Sequence, residues 1–243
     1  DDILQELIEH ADPPSYQDMY TFILNQLLFL TFVSIHTTTE NGTIVLYRLL
    51  QHPQIIKELL EEQKYVLEQE QEDQQKTSQQ KGSTNMKNNL TSEVFTADTI
   101  KKMVKLDSVC RETFRLRSQF YELSHTNVSD HNIVLSNGTV IPPDGDILIN
   151  LWYNHHNGND DLEEFKPFRY VDSGYPSTKV GDNYLVFGEG KHACPGRWFA
   201  MQEIKTIVSL LIRNYDLCAV DEVTFPITRI GLPYGKVTIA KRQ

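Results

Sequence analysis

From Phe22 to Val66 apolar residues recur at helical spacing, and Pro53 is the one hard interruption. A repeat of that length commits this part of the chain to two consecutive helices rather than strands. Phe22 to Ile35, Ile44, Leu46, Leu49 and Leu50 mark the first. Ile55, Ile56, Leu59, Leu60 and Val66 mark the second, with Glu61, Glu62 and Lys64 between them. The most apolar part, Tyr20 to Ile35, contains Asn25, Gln26, Thr31 and Ser34. No run therefore reaches the roughly 18–20 apolar residues of a membrane span, and a buried core helix is expected. Residues 1–18, acidic and carrying Pro13-Pro14, read as a loop.

The composition changes at Glu68. Residues 68–93 offer only Met86 and Leu90 to a core, and the segment reads as a disordered Gln/Asn-rich insertion, because it cannot bury enough apolar surface to offset its ordering entropy. Thr96 then starts a helix as its cap, with Thr99 where a capping box carries Glu. Apolar residues carry that helix to about Leu116. Ile133 to Ile141 around Asn137-Gly138 is a hairpin signal. Ile147 to Leu151 reads as a strand, and 152–193 as mainly irregular. Residues 196–214 read as a helix with Ala200, Ile204, Ile207, Val208 and Leu211 on one face. Residues 224–241 read as a hairpin about Pro233-Tyr234-Gly235. The fold class is mainly α with small antiparallel β pieces, in one domain or part of one.

Lys plus Arg is 23 and Asp plus Glu is 33, a net charge of −10, which makes a general nucleic-acid binder a poor reading. Cys110, Cys194 and Cys218 are too few and too scattered for a disulfide scaffold or a paired-cysteine zinc site. The chain opens Asp1-Asp2-Ile3 without an initiator Met or a signal-peptide pattern, as a fragment or a processed chain would.

The stretch Phe187-Gly188-Glu189-Gly190-Lys191-His192-Ala193-Cys194-Pro195-Gly196 carries the chemistry. A cysteine ends a glycine-bearing loop just ahead of a helix. The unpaired N–H groups and dipole at that helix terminus favour a thiolate. Pro195 suits the first helical position. The pattern Phe-x-x-Gly-x-(Arg or His)-x-Cys-x-Gly resembles the haem-binding loop of cytochromes P450, with Phe187, Gly190, His192, Cys194 and Gly196 all matching. Glu112-Thr113-Phe114-Arg115 resembles the family's Glu-x-x-Arg. Phe165-Lys166-Pro167-Phe168-Arg169 resembles the loop whose arginine completes a Glu–Arg–Arg cluster. Ser34-Ile35-His36-Thr37 resembles the oxygen-activating segment of its long I helix, with His36 where an acid is usual. The order matches the C-terminal half of the family's fold (I, J, K and L helices and the haem-binding loop) in about residues 15–243, most like fungal members.

The resemblance implies haem b ligated axially by Cys194 as the metal ligand, with His192 and His125 toward a propionate. Thr37 and His36 become the proton-relay pair, and Glu112, Arg115 and Arg169 structural braces. It implies a monooxygenase that uses dioxygen to oxidise a lipophilic small molecule facing Phe29, Phe32, Val33, Ser34, Phe120, Tyr121, Leu123 and Ile230 to Leu232. Electrons would come from a flavoprotein NADPH-cytochrome reductase docking near Lys179, Lys191, Arg197, Lys205 and Arg213. A location on the cytosolic face of the endoplasmic reticulum membrane, through an anchor not in this chain, follows in the same way. An isomerase or dehydratase of the same fold, or an inactive haem-binding truncation, are the alternatives, and the isolated chain is expected to be inactive. The sequons at Asn41, Asn89, Asn127 and Asn137 are read as chance.

Overall fold

A computed structural model describes residues 2–80, 95–117, 122–156, 162, 164–225 and 232–242. Helix α1 (Ile3–His10) is capped by Asp2, so the expected loop at the N-terminus contains a helical segment. Helix α2 (Met19–Gln51) is capped by Asp18, whose side chain accepts from Thr21 N. It ends at Gln51, with His52 as its C-cap, and α3 (Pro53–Gln80) begins at the next residue. Proline ends one helix and opens the next because its missing N–H costs nothing in a first turn.

Two expectations are corrected on these helices. None of residues 19–37 of α2 is buried, whereas Thr38, Gly42, Ile44, Val45, Leu49 and Leu50 are. The core therefore takes only the C-terminal part of α2, where it packs on α3, α5 and α7. By length and composition α2 is the one helix among the described residues that could cross a membrane, yet its buried end ties it to the protein interior. Helix α3 continues to Gln80, so residues 68–80 are helical and the expected boundary at Glu68 is displaced. Intrahelical pairs such as Lys64–Glu68 at 3.9 Å and Lys76–Asp73 at 3.9 Å accompany this polar extension. The rest of the expected insertion, 81–93, lies outside the described residues.

Thr96 caps α4 (Ala97–Lys102) as expected, accepting from Thr99 N at 3.1 Å. The helix expected to run to Leu116 breaks at Met103 and restarts as α5 (Val104–Arg117). Glu62 of α3 makes the restart possible. Its carboxylate accepts from Lys105 N and Leu106 N (2.5 and 3.0 Å), satisfying two of the amides that a new helix exposes. Burial pushes the Glu62 carboxyl above its usual range, while these same amides pull it back.

Strand β1 (Glu122–Thr126), which the sequence reading missed, pairs antiparallel with β4 (Asp146–Asn150). The Asn-Gly hairpin appears as β2 (Ile133–Val134) and β3 (Val140–Ile141). The segment read as irregular opens with a short helix, α6 (Leu151–His156). Helix α7 (Arg197–Asn214) buries Met201, Ile204, Lys205, Val208, Ser209 and Ile212, while Ile207 is 44% exposed. Its inner stripe is thus rotated from the expected one. Strand β5 (Tyr215–Ala219) pairs with β6 (Val237–Lys241), so the tail's strand returns to the end of α7. A Thr224–Tyr234 bridge lies between them. The core gathers Val45 and Leu49, Ile55 and Leu59, Leu106, Val109 and Phe114, and Ile204, Val208 and Ile212 from α2, α3, α5 and α7.

Candidate functional site

The three cysteines sit in different surroundings. Cys110 is buried in α5, and burial pushes its thiol far up, which keeps it a neutral core residue. Cys218 is exposed on β5. Cys194 is half-buried in the loop ahead of α7. Its N–H donates to Phe187 O at 2.7 Å, and Ala193 N donates to Gly190 O at 3.2 Å. Phe187 packs against the core. Gly188 (φ +69°) and Gly190 (φ +63°) adopt the left-handed backbone that glycine tolerates best. A 3-10 turn, Gly190–His192, precedes the cysteine, and His192 is exposed. Pro195 is not at the first helical position. Gly196 caps α7 and accepts from Ala200 N at 2.9 Å, so Cys194 lies three residues before the first helical residue, Arg197.

The three charged residues expected as braces come together. Glu112 is 0% exposed and Arg115 is 1% exposed. Arg115 donates from Nε to Glu112 Oε2 at 2.8 Å and from Nη2 to Oε1 at 2.9 Å. Arg169 Nε reaches Oε1 at 3.1 Å, and Lys166 N donates to the same oxygen at 3.0 Å. Lys105 lies over Phe168, which with Phe165 packs on the core.

Two histidines of α6 complete this layer, and sequence reasoning missed both. His156 Nδ1 donates to Trp152 O (2.8 Å), which leaves Nε2 to accept from Arg115 Nη1 at 3.2 Å. His155 Nε2 accepts from Leu185 N at 2.8 Å, just ahead of the cysteine loop. Adjacent histidines after a strand were the available signal. Burial, reinforced by the charges of Arg115, His156 and Arg111, pushes His155 down to about 4 from 6.5. The unfolded chain therefore takes up a proton near 6.5 that the native protein refuses until about 4. Stability from this group is complete above that window and falls as pH drops through it, by on the order of 3 kcal/mol. Urea midpoints at pH 7 and pH 4.5 should fall further in the wild type than in His155→Gln, which keeps an acceptor but does not titrate.

On α2 the Thr37 hydroxyl donates to Val33 O at 2.6 Å, and Asn41 Nδ2 donates to Thr37 O at 2.8 Å. His36 stacks on Phe32, with ring centroids 5.8 Å apart. Phe29 is 62% exposed and Phe32 69% exposed, and Thr37 and His36 share this uncovered stretch. Gly42 faces Ile204, so α2 and α7, the helices next to Thr37 and Cys194, pack together there. At about 1.5 Å rise per residue, Thr37 is about 8 Å along α2 from that contact and Arg197 about 10 Å along α7.

The remaining expectations divide. His125 lies exposed on β1, opposite Ile147 of β4. Leu123 is half-buried, Leu232 is exposed, and Phe120, Tyr121, Ile230 and Gly231 lie outside the described residues. The basic cluster does not form one docking surface. Lys205 is buried and bonds Asp107 at 2.9 Å, Arg197 turns inward to Cys194 O, and Arg213 lies over Phe95. Lys179 and Lys191 stay exposed. Asn127 is 3% exposed and donates to the Ile141 and Pro142 carbonyls, which leaves no room for a glycan on that sequon. A cavity of about 280 Å³ opens among Ile100, Val104, Tyr175, Trp198 and Met201, and neither Cys194 nor Thr37 lines it.

Residues 3–239 match the family model described as Cytochrome P450. Cytochrome P450 monooxygenase 151 of Postia placenta is 29% identical over 260 residues, covering 100% of this chain and 47% of that protein. Cytochrome P450 monooxygenase 103 of the same fungus is 32% identical, covering 87% of this chain and 43% of the relative. Cytochrome P450 monooxygenase olcJ of Penicillium canescens is 31% identical, covering 88% and 37%. The chain thus spans less than half the length of these curated relatives. A match over nearly its whole length, in a mainly helical structure that gathers the three braces and presents Cys194 ahead of α7, places this chain in the cytochrome P450 family.

Proposed function

We propose that the complete protein is a haem-thiolate monooxygenase in which Cys194 supplies the axial sulfur. The observation that carries this reading is the cysteine loop: a half-buried thiol, closed onto Phe187 O by its own amide and set just before α7. The residues present fit such a group. The loop offers a single sulfur donor at Cys194, the number of protein thiolates that haem iron takes from a protein of this kind. A Cβ built at Gly190 or Gly196 would meet nothing within 4 Å, so the backbone before and after Cys194 stays open to the approach of a flat ligand.

When bound, haem with thiolate ligation supplies the cleavage of dioxygen and the oxidation of an unactivated C–H bond. The chain's own residues have more local tasks. Cys194 holds the metal, while His192 and His125 are the side chains to pair with propionates. Thr37 keeps acceptor capacity on its hydroxyl while donating to Val33 O, and His36 one residue earlier is the second member of the proposed proton relay. Glu112, Arg115 and Arg169 fix the layer behind the loop. The exposed apolar residues Phe29, Phe32 and Val33 favour a lipophilic substrate. Electrons come from a flavoprotein NADPH-cytochrome reductase, and the cytosolic face of the endoplasmic reticulum membrane is the proposed location, on the resemblance to the family alone.

Reductase- and NADPH-dependent oxygen uptake by the complete protein tests this. Oxidised product should form with one oxygen atom from dioxygen. Thr37→Ala should lower the product formed per dioxygen consumed by at least about tenfold, with peroxide making up the difference, a smaller loss than the roughly 100- to 10,000-fold weight of a fully effective proton donor. Turnover of a substrate without oxygen uptake would instead indicate an isomerase or dehydratase.

A further inference from the structure

We infer that Arg197 is a positioning residue for the Cys194 ligand, holding the cysteine carbonyl and setting the electric field at its sulfur; this rests on the reading of Cys194 as the haem ligand. The sequence suggests Arg197 as part of an outward basic surface, but its side chain is engaged inward. Nη1 donates to Cys194 O at 2.6 Å, and Nε donates to Thr178 O at 3.1 Å. The guanidinium carbon lies 3.4 Å from the centre of the Trp198 ring, which restricts its plane.

Thr178 is itself a firm anchor. Its neighbour Ser177 is 0% exposed and donates from N (2.6 Å) and Oγ (2.7 Å) to Asp107. Asp107 of α5 also takes the Lys205 ammonium of α7 at 2.9 Å. Arg197 is therefore the link by which a framework of α5, the 170–179 segment and α7 reaches the cysteine. A guanidinium suits the task because its donors are rigidly coplanar, whereas an ammonium is a point charge on a flexible stem.

The same contact places a permanent positive charge beside the ligand. A ferric haem with one thiolate has a neutral core, and one-electron reduction leaves it with one negative charge. A fixed cation nearby favours the reduced form. Hydrogen bonds around a ligand tune its metal in this way.

The test uses haem-loaded complete protein, with the wild type, Arg197→Lys and Arg197→Met compared by potentiometric titration. The midpoint potential should shift negative in Arg197→Met, and Arg197→Lys should recover part of that shift. Amide hydrogen exchange in the haem-free proteins reads positioning separately. Exchange at the Cys194 amide, which donates to Phe187 O, should be at least about tenfold faster in Arg197→Met, and faster also in Arg197→Lys. If Arg197→Met does not fold, Arg197→Lys still carries both measurements. Variants with the wild-type potential and wild-type exchange overturn the inference. A wild type that binds haem without a thiolate spectrum overturns the reading of Cys194 instead, a different and recognisable outcome.

Discussion

Replacing Glu112 by alanine is expected to abolish the native fold of this chain, or leave it marginal. The carboxylate is completely buried and accepts from Arg115 Nε and Nη2, Arg169 Nε and Lys166 N. Its removal strands the Arg115 guanidinium, 1% exposed, without its counter-ion. Breaking a buried pair at one member costs about 3–5 kcal/mol, a large share of the roughly 5–15 kcal/mol that holds a domain together. Glu112→Gln should also be damaging, since it keeps the shape but not the charge. Asp98→Ala provides the contrast. Its partner Lys101 is 3.5 Å away with both side chains over 70% exposed, so its loss should cost no more than about 1 kcal/mol. Urea midpoints, or soluble yield where no transition is measurable, rank the three variants.

Cys194→Ser should act in the opposite way, leaving the fold and removing the chemistry. The bond closing the loop runs from the Cys194 amide to Phe187 O, and the Arg197 bond ends on the Cys194 carbonyl. Both are backbone groups that serine retains. The unfolding free energy from urea titration should therefore stay within about 0.5 kcal/mol of wild type, as for a substitution that touches no core contact. Haem binding through sulfur should be lost completely, because Cys110 is sealed in the core and Cys218 lies on a separate sheet. A midpoint that falls as far as that of Glu112→Ala would make Cys194 a packing residue.

The parts of this fold legible in the sequence were written in contiguous residues. Pro53 separates α2 from α3, Thr96 caps α4, and the Phe187–Gly196 loop holds its signal within one stretch. Glu112, Arg115 and Arg169 were recognisable because each lies in its own short motif, though only the fold brings them within 3.1 Å. What could not be read depends on partners distant along the chain. The pairing of β1 with β4 joins Glu122 to Asn150, and β1 contains Glu, Ser, His and Thr with no clear alternation. The inner stripe of α7 includes Lys205 and Ser209, which are polar yet buried because Asp107 and Met103 receive them. Hydrophobic periodicity cannot anticipate a polar group whose partner is far away. The apolar run of α2 shows the same limit in reverse: it reads as core, but residues 19–37 remain unburied.

The most direct measurement is the absorption spectrum of the reduced, carbon monoxide-bound complete protein beside that of Cys194→Ser. A strongly red-shifted Soret band in the wild type, absent from the serine variant, is the expected result. A wild-type band at the position given by nitrogen-ligated haem, or one that survives in Cys194→Ser, would contradict the assignment of Cys194 as the metal's ligand.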